Sequence, residues 1–393
     1  MKKFMLWLHK WLGLITGIVI VIVSITGSIY VLHDDLKKVI YPDNFYVNDF
    51  SDQVNREALS LSFLQNLAQQ AVGKHYPINR VDIYPAKDRT WVFRTLKTDK
   101  KAIGYWNEVT YYKRVFINPY TGKVQKVENT KKEFFYVVLQ LHRNLLLGSK
   151  IGGWVVGGST VLFIIITITG LILWWPKRWK GKTFRRSFLF DFSVNWKRLN
   201  HDLHNLLGMY TFFLAIVIGI TGVLFAFPKF RTSVETTLNK VDEEKFQVME
   251  PNAFDIVPQI TSNTLDNAVF YALDKFGYAD MMSIRLSKDE EVPHSLQIRL
   301  EKDKTSKFEW LYFDKKSGEI TMRTDHTYTS IALGTKVNSL NFDLHVGTIW
   351  GYPTKVLAFI GSLICASLPI TGFVIWYNKQ RKKGKNQKIK ISH

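Results

Sequence analysis

Asp202-Leu203-His204-Asn205-Leu206-Leu207-Gly208, followed by Ile220-Thr221-Gly222, sets the architecture, because its pattern occurs twice. Leu8-His9 leads to Gly13 and then to Ile25-Thr26-Gly27, and histidine and last glycine lie 18 residues apart in both copies (27 − 9 and 222 − 204). A second motif behaves alike: Leu141-His142 precedes Ile168-Thr169-Gly170 and Trp174, while Leu344-His345 precedes Ile370-Thr371-Gly372 and Trp376. A repeat fixes which residues are equivalent. The order is helix, long loop, helix, twice over, which makes the repeat parallel rather than inverted.

The motifs border four apolar stretches, residues 11–32, 154–175, 206–227 and 356–376, none containing Asp, Glu, Lys or Arg. Each is about 20 residues long, the length an α-helix needs to cross ~30 Å of hydrocarbon. The expected fold is therefore an α-helical integral membrane protein with four transmembrane helices in a duplicated two-helix unit. The first stretch is too long for a cleaved secretory signal and no small-x-small site follows it, so it is expected to be retained.

The net charge is +20, and its placement matters more than its size. Lys2, Lys3 and Lys10 precede the first stretch; Lys177, Arg178, Lys180, Lys182, Arg185, Arg186, Lys197 and Arg198 separate the second from the third; Lys379, Arg381, Lys382, Lys383, Lys385, Lys388 and Lys390 follow the fourth. Short basic segments stay in the cytoplasm, so the charge is a topology signal and does not indicate a nucleic-acid partner. Both termini are expected inside. The expected segments are a first helix at 1–33, an extracytoplasmic domain at 34–135, a second helix at 136–176, a basic loop at 177–200, a third helix at 201–228, a second extracytoplasmic domain at 229–343, a fourth helix at 344–378 and a basic tail at 379–393. The single cysteine, Cys365, falls in the fourth stretch, which excludes a disulfide framework, a covalent haem motif and a thiolate iron–sulfur site.

The long loops read as small α+β domains. Helical spacing at 59–72 is followed by strand-like runs at 80–84, 91–96 and 111–117 and a turn at 119–122; the second loop repeats this order at 265–276, 281–286, 294–300, 308–313 and 315–318.

The topology sorts four histidines onto two levels: His9 and His204 at the cytoplasmic ends, His142 and His345 at the outer ends. Ionisable groups are costly in a membrane and usually functional. Paired neutral imidazoles are suited to ligate a haem iron axially, so two haems b are expected, on His9 and His204 and on His142 and His345. The bland reading is that these rings only pack the bundle. Gly13, Gly208, Gly148 and Gly351 follow the histidines and would allow close approach of a helix or a flat macrocycle. His201, one turn before His204, and His33, at the outer end of the first stretch, are competing ligands, whereas His75, His294, His326 and His393 fall in soluble segments. A continuous 28-residue helix from His142 to Gly170 would measure about 42 Å, more than the hydrocarbon thickness, so either it protrudes or the glycines near 148–153 turn the chain back. Pro353 offers a similar break in the fourth helix.

Together, Leu8-His9-Lys10-Trp11-Leu12-Gly13, Asp202 to Gly208, Leu141-His142, Asp343-Leu344-His345-Val346-Gly347 and the Thr-Gly-x-x-x-Trp ends at Thr169 and Thr371 resemble the PepSY-associated transmembrane helix family. These are iron-regulated membrane proteins that include inner-membrane ferric-siderophore reductases of bacteria. The resemblance implies PepSY-like extracytoplasmic domains, bound haem and a place in the bacterial cytoplasmic membrane. The function it suggests is an oxidoreductase passing electrons across the lipid bilayer to a ferric-siderophore or other ferric chelate and releasing Fe(II). No dinucleotide fingerprint or Walker A sequence is present, so a quinol or a separate reductase is the expected donor. The competing reading is a non-enzymatic membrane protein whose PepSY-like domains bind a peptide, a protease or an envelope partner. Substrate transport is disfavoured by the absence of charge inside the spans.

Overall fold

The computed structural model describes residues 2–48, 57–176, 180–241, 257–287, 289, 291–302, 304–324 and 332–391, without the side chains of Lys182, Thr183, Arg186, Thr324 and residues 383–391. Lys177, Arg178, His326 and His393, named above, lie outside the described residues, as do the side chains of Lys383, Lys385, Lys388 and Lys390. The chain divides into two compact units: Met1–Leu32 with Val138–Pro228 and Leu344–His393, and His33–Val137 with Lys229–Asp343.

The first unit is helical. Lys2–Val31, Gly152–Trp174 and Tyr352–Lys382 are each long and apolar enough to cross a membrane. Polar side chains within them are satisfied locally, as lipid requires: Thr16 donates to the Leu12 carbonyl at 2.8 Å, Thr160 to Val156 at 2.8 Å and Thr167 to Phe163 at 2.8 Å.

The third helix, expected at 201–228, is a bent pair. Trp196–Tyr210 and Phe212–Ala226 meet at 63°, and count as a fourth span only when taken together. The bend falls at Thr211, whose hydroxyl donates to the Leu207 carbonyl at 2.7 Å and whose amide is shared between the Leu207 and Met209 carbonyls. The shared amide is where the regular i−4 ladder fails, and the back-bonded hydroxyl and Gly208 weaken the same turn.

The helix breaks after both His142 and His345. Phe134–Asn144 ends two residues beyond His142; Leu145 and Leu146 then adopt φ of 54° and 59°, and Gly148 φ of 79°. Left-handed leucines cost about 1–2 kcal/mol each, so surrounding contacts must hold this turn. Gly152 sits so close to Asn144 that a β-carbon would lie 1.8 Å from the Asn144 carbonyl oxygen. Leu333–Val346 ends one residue beyond His345, and Gly347 at φ 79° and Gly351 at φ 76° turn the chain into the helix that starts at Tyr352. Pro353 therefore occupies a first helical turn, where its missing N–H costs nothing. The lead-in helices are therefore not continuous with the spans that follow: the chain is interrupted at 145–151 and at 347–351.

The second unit is built on one antiparallel sheet. Its strands are β1 (Arg80–Ile83), β2 (Trp91–Thr98), β3 (Val109–Ile117), β4 (Val124–Glu128), β5 (Met281–Arg285), β6 (His294–Arg299), β7 (Phe308–Phe313) and β8 (Ile320–Thr324), in the order β4-β3-β2-β1-β5-β6-β7-β8. The two loops do not form separate sheets: β1 pairs with β5, with Val81 opposite Ile284 and Ile83 opposite Met282. Helices Leu61–Val72 and Thr264–Lys275 cover one face. Leu64, Ala68, Ala268 and Ala272 from the helices and Val81, Phe93, Ile284 and Leu311 from the strands form a common core. Burial of each large apolar side chain there contributes about 1.5–3 kcal/mol. β4 and β8 fall outside the expected strands because they are edges with few apolar residues to betray them.

Candidate functional site

Four imidazoles meet carbonyl and threonine partners on sister helices. His9 Nδ1 lies 3.0 Å from the Ile166 carbonyl oxygen and 3.1 Å from Thr169 Oγ1. His142, at the end of the lead-in to that same second helix, reaches back to the first, with Nδ1 2.9 Å from the Val23 carbonyl oxygen. In the other half, His204 Nδ1 lies 3.1 Å from the Leu368 carbonyl oxygen and 3.0 Å from Thr371 Oγ1. His345 Nδ1 lies 2.9 Å from Thr221 Oγ1.

These partners settle which nitrogen carries the proton. A carbonyl can only accept, so Nδ1–H donates in His9, His142 and His204. Thr221 already donates to the Val217 and Ile218 carbonyls at 2.7 and 3.0 Å, so its oxygen accepts from His345 as well. With Nδ1–H committed as the donor, Nε2 is the nitrogen that the neutral ring would offer to a metal.

The glycine after each threonine seats a ring. A β-carbon at Gly170 would lie 3.2 Å from His9 Cε1, at Gly372 3.1 Å from His204 Cε1, at Gly27 3.0 Å from His142 Cε1 and at Gly222 3.5 Å from His345 Cε1. The glycines expected to face a macrocycle behave differently. Around Gly13 and Gly351 a β-carbon would meet no described atom within 4 Å, and at Gly208 it would meet only Leu368, at 3.8 Å.

The rings then pair between halves. His9 and His204 have centroids 6.1 Å apart at 84°, and His142 and His345 6.1 Å apart at 63°. With metal–nitrogen bonds of about 2 Å and a ring nitrogen about 1.2 Å from its centroid, two imidazoles trans on one metal have centroids roughly 6.5 Å apart. Among the described residues no group of three or more His, Cys, Asp or Glu side chains is placed to hold a metal. Two donors alone do not make a zinc or non-haem iron site, whereas a porphyrin supplies the other four. The residues present thus fit haem. Val23, which receives His142, lies 14 residues beyond His9 on one unbroken helix (23 − 9), so the two pairs are separated by about 21 Å along that axis.

The other histidines among the described residues join neither pair. His201 is half-exposed, with Nδ1 3.1 Å from Asn205 Nδ2 and 3.6 Å from Asp202 Oδ1. His33 belongs to the sheet-bearing unit and lies 3.2 Å from Asp34 Oδ1. His75 is exposed and His294 opens β6. The roles of Thr169, Thr371 and Thr221 are not apparent from the order of residues alone, although the repeated Thr-Gly is a signal that points to them.

Helices of this length and composition, with an antiparallel sheet formed by the segments between them, define a membrane protein. The chain belongs to the PepSY-associated TM region family, whose model matches residues 6–379. No match was found among curated proteins.

Proposed function

We propose that this protein is a haem b-containing reductase of the bacterial cytoplasmic membrane, passing electrons to an extracytoplasmic ferric-siderophore and releasing Fe(II) for iron uptake. The observation that carries this reading is the pairing of His9 with His204 and of His142 with His345 at the separation two axial ligands require, with Nδ1 of each ring committed to a partner on a neighbouring helix. In this reading four spans form a duplicated two-helix unit, both termini are cytoplasmic, and the sheet-bearing unit is PepSY-like and extracytoplasmic. His9 and His204 hold the inner haem, and His142 and His345 the outer one.

Bound there, haem b supplies a one-electron couple on each level. The chain's own work is to fix the ligands. Thr169, Thr371 and Thr221 orient the imidazoles and keep Nδ1 protonated, so ligand exchange with water is opposed by hydrogen bonds that need not break during turnover. The apolar helices around them exclude water. Gain of one electron by a ferric chelate lowers the charge on iron, and hard oxygen donors hold the product less strongly. The donor is a quinol or a separate reductase.

Purified from haem-replete cells, the protein should be red, with a Soret band that shifts on dithionite. Substitution His204→Ala or His345→Ala should each remove about half the haem. Unchanged haem content in both variants would overturn the ligand assignment, and a colourless wild type would leave the partner-binding reading of the PepSY-like domains.

A further inference from the structure

The sheet face turned away from its two helices carries one row of residues in cross-strand register from edge to edge: Glu128, Arg114, Arg94, Arg80, Arg285, Ser295, Tyr312 and Met322. Four consecutive arginines make three direct Arg–Arg pairs. Strands lie about 4.8 Å apart, and like charges directly opposite one another are destabilising. A row that breaks a local folding rule without a structural gain marks a functional surface.

Part of the row is compensated. Arg114 donates to Glu128 at 2.7 and 3.0 Å, Arg80 Nε lies 3.2 Å from Asp82 Oδ1, and Arg94 contacts the other Asp82 oxygen. That leaves four guanidinium groups against two carboxylates, a local charge of +2. Arg285 is exposed and, among the described residues, has no carboxylate partner. Arg94 Nε is buried without an acceptor among the same residues. Beside Arg285 stands an aromatic platform: its guanidinium carbon is 5.9 Å from the Trp310 ring centre, and Trp310 and Tyr312 stack at 6.1 Å and 21°. Arginine forks match paired anionic oxygens, and ring faces match flat aromatic groups.

We propose that Arg94, Arg80, Arg285, Trp310 and Tyr312 form the binding surface for a multiply anionic aromatic chelate, of the tris-catecholate class, in preference to neutral or cationic hydroxamate chelates. Its naming as an iron chelate rests on the reductase reading above; the preference for charge rests on the arginine row, and that for aromatic rings on the Trp310 and Tyr312 stack. Asp82 holds two of the arginines, one on each carboxylate oxygen, and Arg285 is the group left to bind the anion.

The test measures equilibrium binding of two radiolabelled probes to the oxidised full-length protein in detergent, without reductant: a ferric tris-catecholate of net charge −3 and an uncharged ferric trihydroxamate. The tris-catecholate should bind more tightly, with affinity falling as salt is raised. Arg285→Gln should weaken it roughly tenfold or more, Arg285→Lys should restore part of the loss, and neither should change the Soret band. Equal binding of the two probes, or an Arg285→Gln variant with wild-type affinity, overturns the proposal and leaves the reductase reading standing. Tight, Arg285-dependent binding with no reduction of the bound iron by dithionite-reduced protein supports the surface and counts against the reductase.

Discussion

His345 Nδ1 donates to Thr221 Oγ1 at 2.9 Å, and that hydroxyl is itself committed to the carbonyls of its own helix. The hydroxyl can therefore only accept from the ring, and the imidazole stays in one tautomer. Partners of this kind typically change metal affinity by about 10–100-fold when removed. Thr221→Val should speed haem loss from the His142 and His345 pair while leaving the other pair intact. Thr371→Val should do the reverse. Haem transfer to apomyoglobin measures this, and equal loss from both pairs in each variant would refute the assignment.

The glycine seats give a graded expectation. A β-carbon at Gly27 would lie 3.0 Å from His142 Cε1 and 3.3 Å from its Nδ1, whereas at Gly222 it would meet Thr160 Cγ2 first, at 3.3 Å, and His345 Cε1 only at 3.5 Å. Gly27→Ala should broaden and shift the low-spin signals of one haem, and Gly222→Ala should leave them near wild type. Electron paramagnetic resonance reads both, and an opposite ranking would count against the seating.

Asp82 is fully buried between Arg80 and Arg94 and also accepts from Ser283 at 2.8 Å. Removing one partner of a buried ion pair strands the other charge at a cost of about 3–5 kcal/mol. Asp82→Ala should lower the thermal midpoint of the sheet-bearing unit, followed by tryptophan fluorescence. A midpoint within a degree or so of wild type would show that the arginines do not depend on it.

Asp343, also buried, receives the amides of Thr305 and Ser306, both at 2.9 Å. Asp343→Asn leaves one amide facing an NH2 group, which costs about 1–3 kcal/mol. Because Asp343 lies two residues before His345 on one helix, the variant should lose haem preferentially from the His142 and His345 pair on mild heating. Loss shared equally between the pairs would contradict this.

The Asp314 carboxyl is held below the usual carboxylate range by the amides of Ser317 and Lys316, at 2.7 and 2.8 Å. A depressed folded-state pKa stabilises above the unfolded value of about 3.9, and that contribution fades as pH falls through the lower folded value. Asp314→Asn should flatten the acid limb of a stability–pH curve between about pH 5 and 3. Parallel curves for variant and wild type would remove this turn from the account.

The apolar stretches, the paired Leu-His and Thr-Gly motifs and three strands of each loop are legible in the order of residues, because hydrophobic period and length are local properties. The bend at Thr211 is not: it depends on one hydroxyl choosing its own backbone, a choice many threonines in straight helices also make. Nor are β4 and β8 legible, since edge strands need few apolar residues.

Chain order alone thus determined the segments that suit lipid, the two long α+β loops between them and the four histidines worth pairing, all from patterns local in the chain. Which helix caps which imidazole, which ring meets which ring, and that β1 joins β5 to align four arginines were settled by contacts between residues 119 to 205 positions apart (142 − 23 and 285 − 80). Side-chain identity names the groups that can bond, but only a packed backbone brings a carbonyl, a hydroxyl or a second ring within about 3 to 6 Å of them.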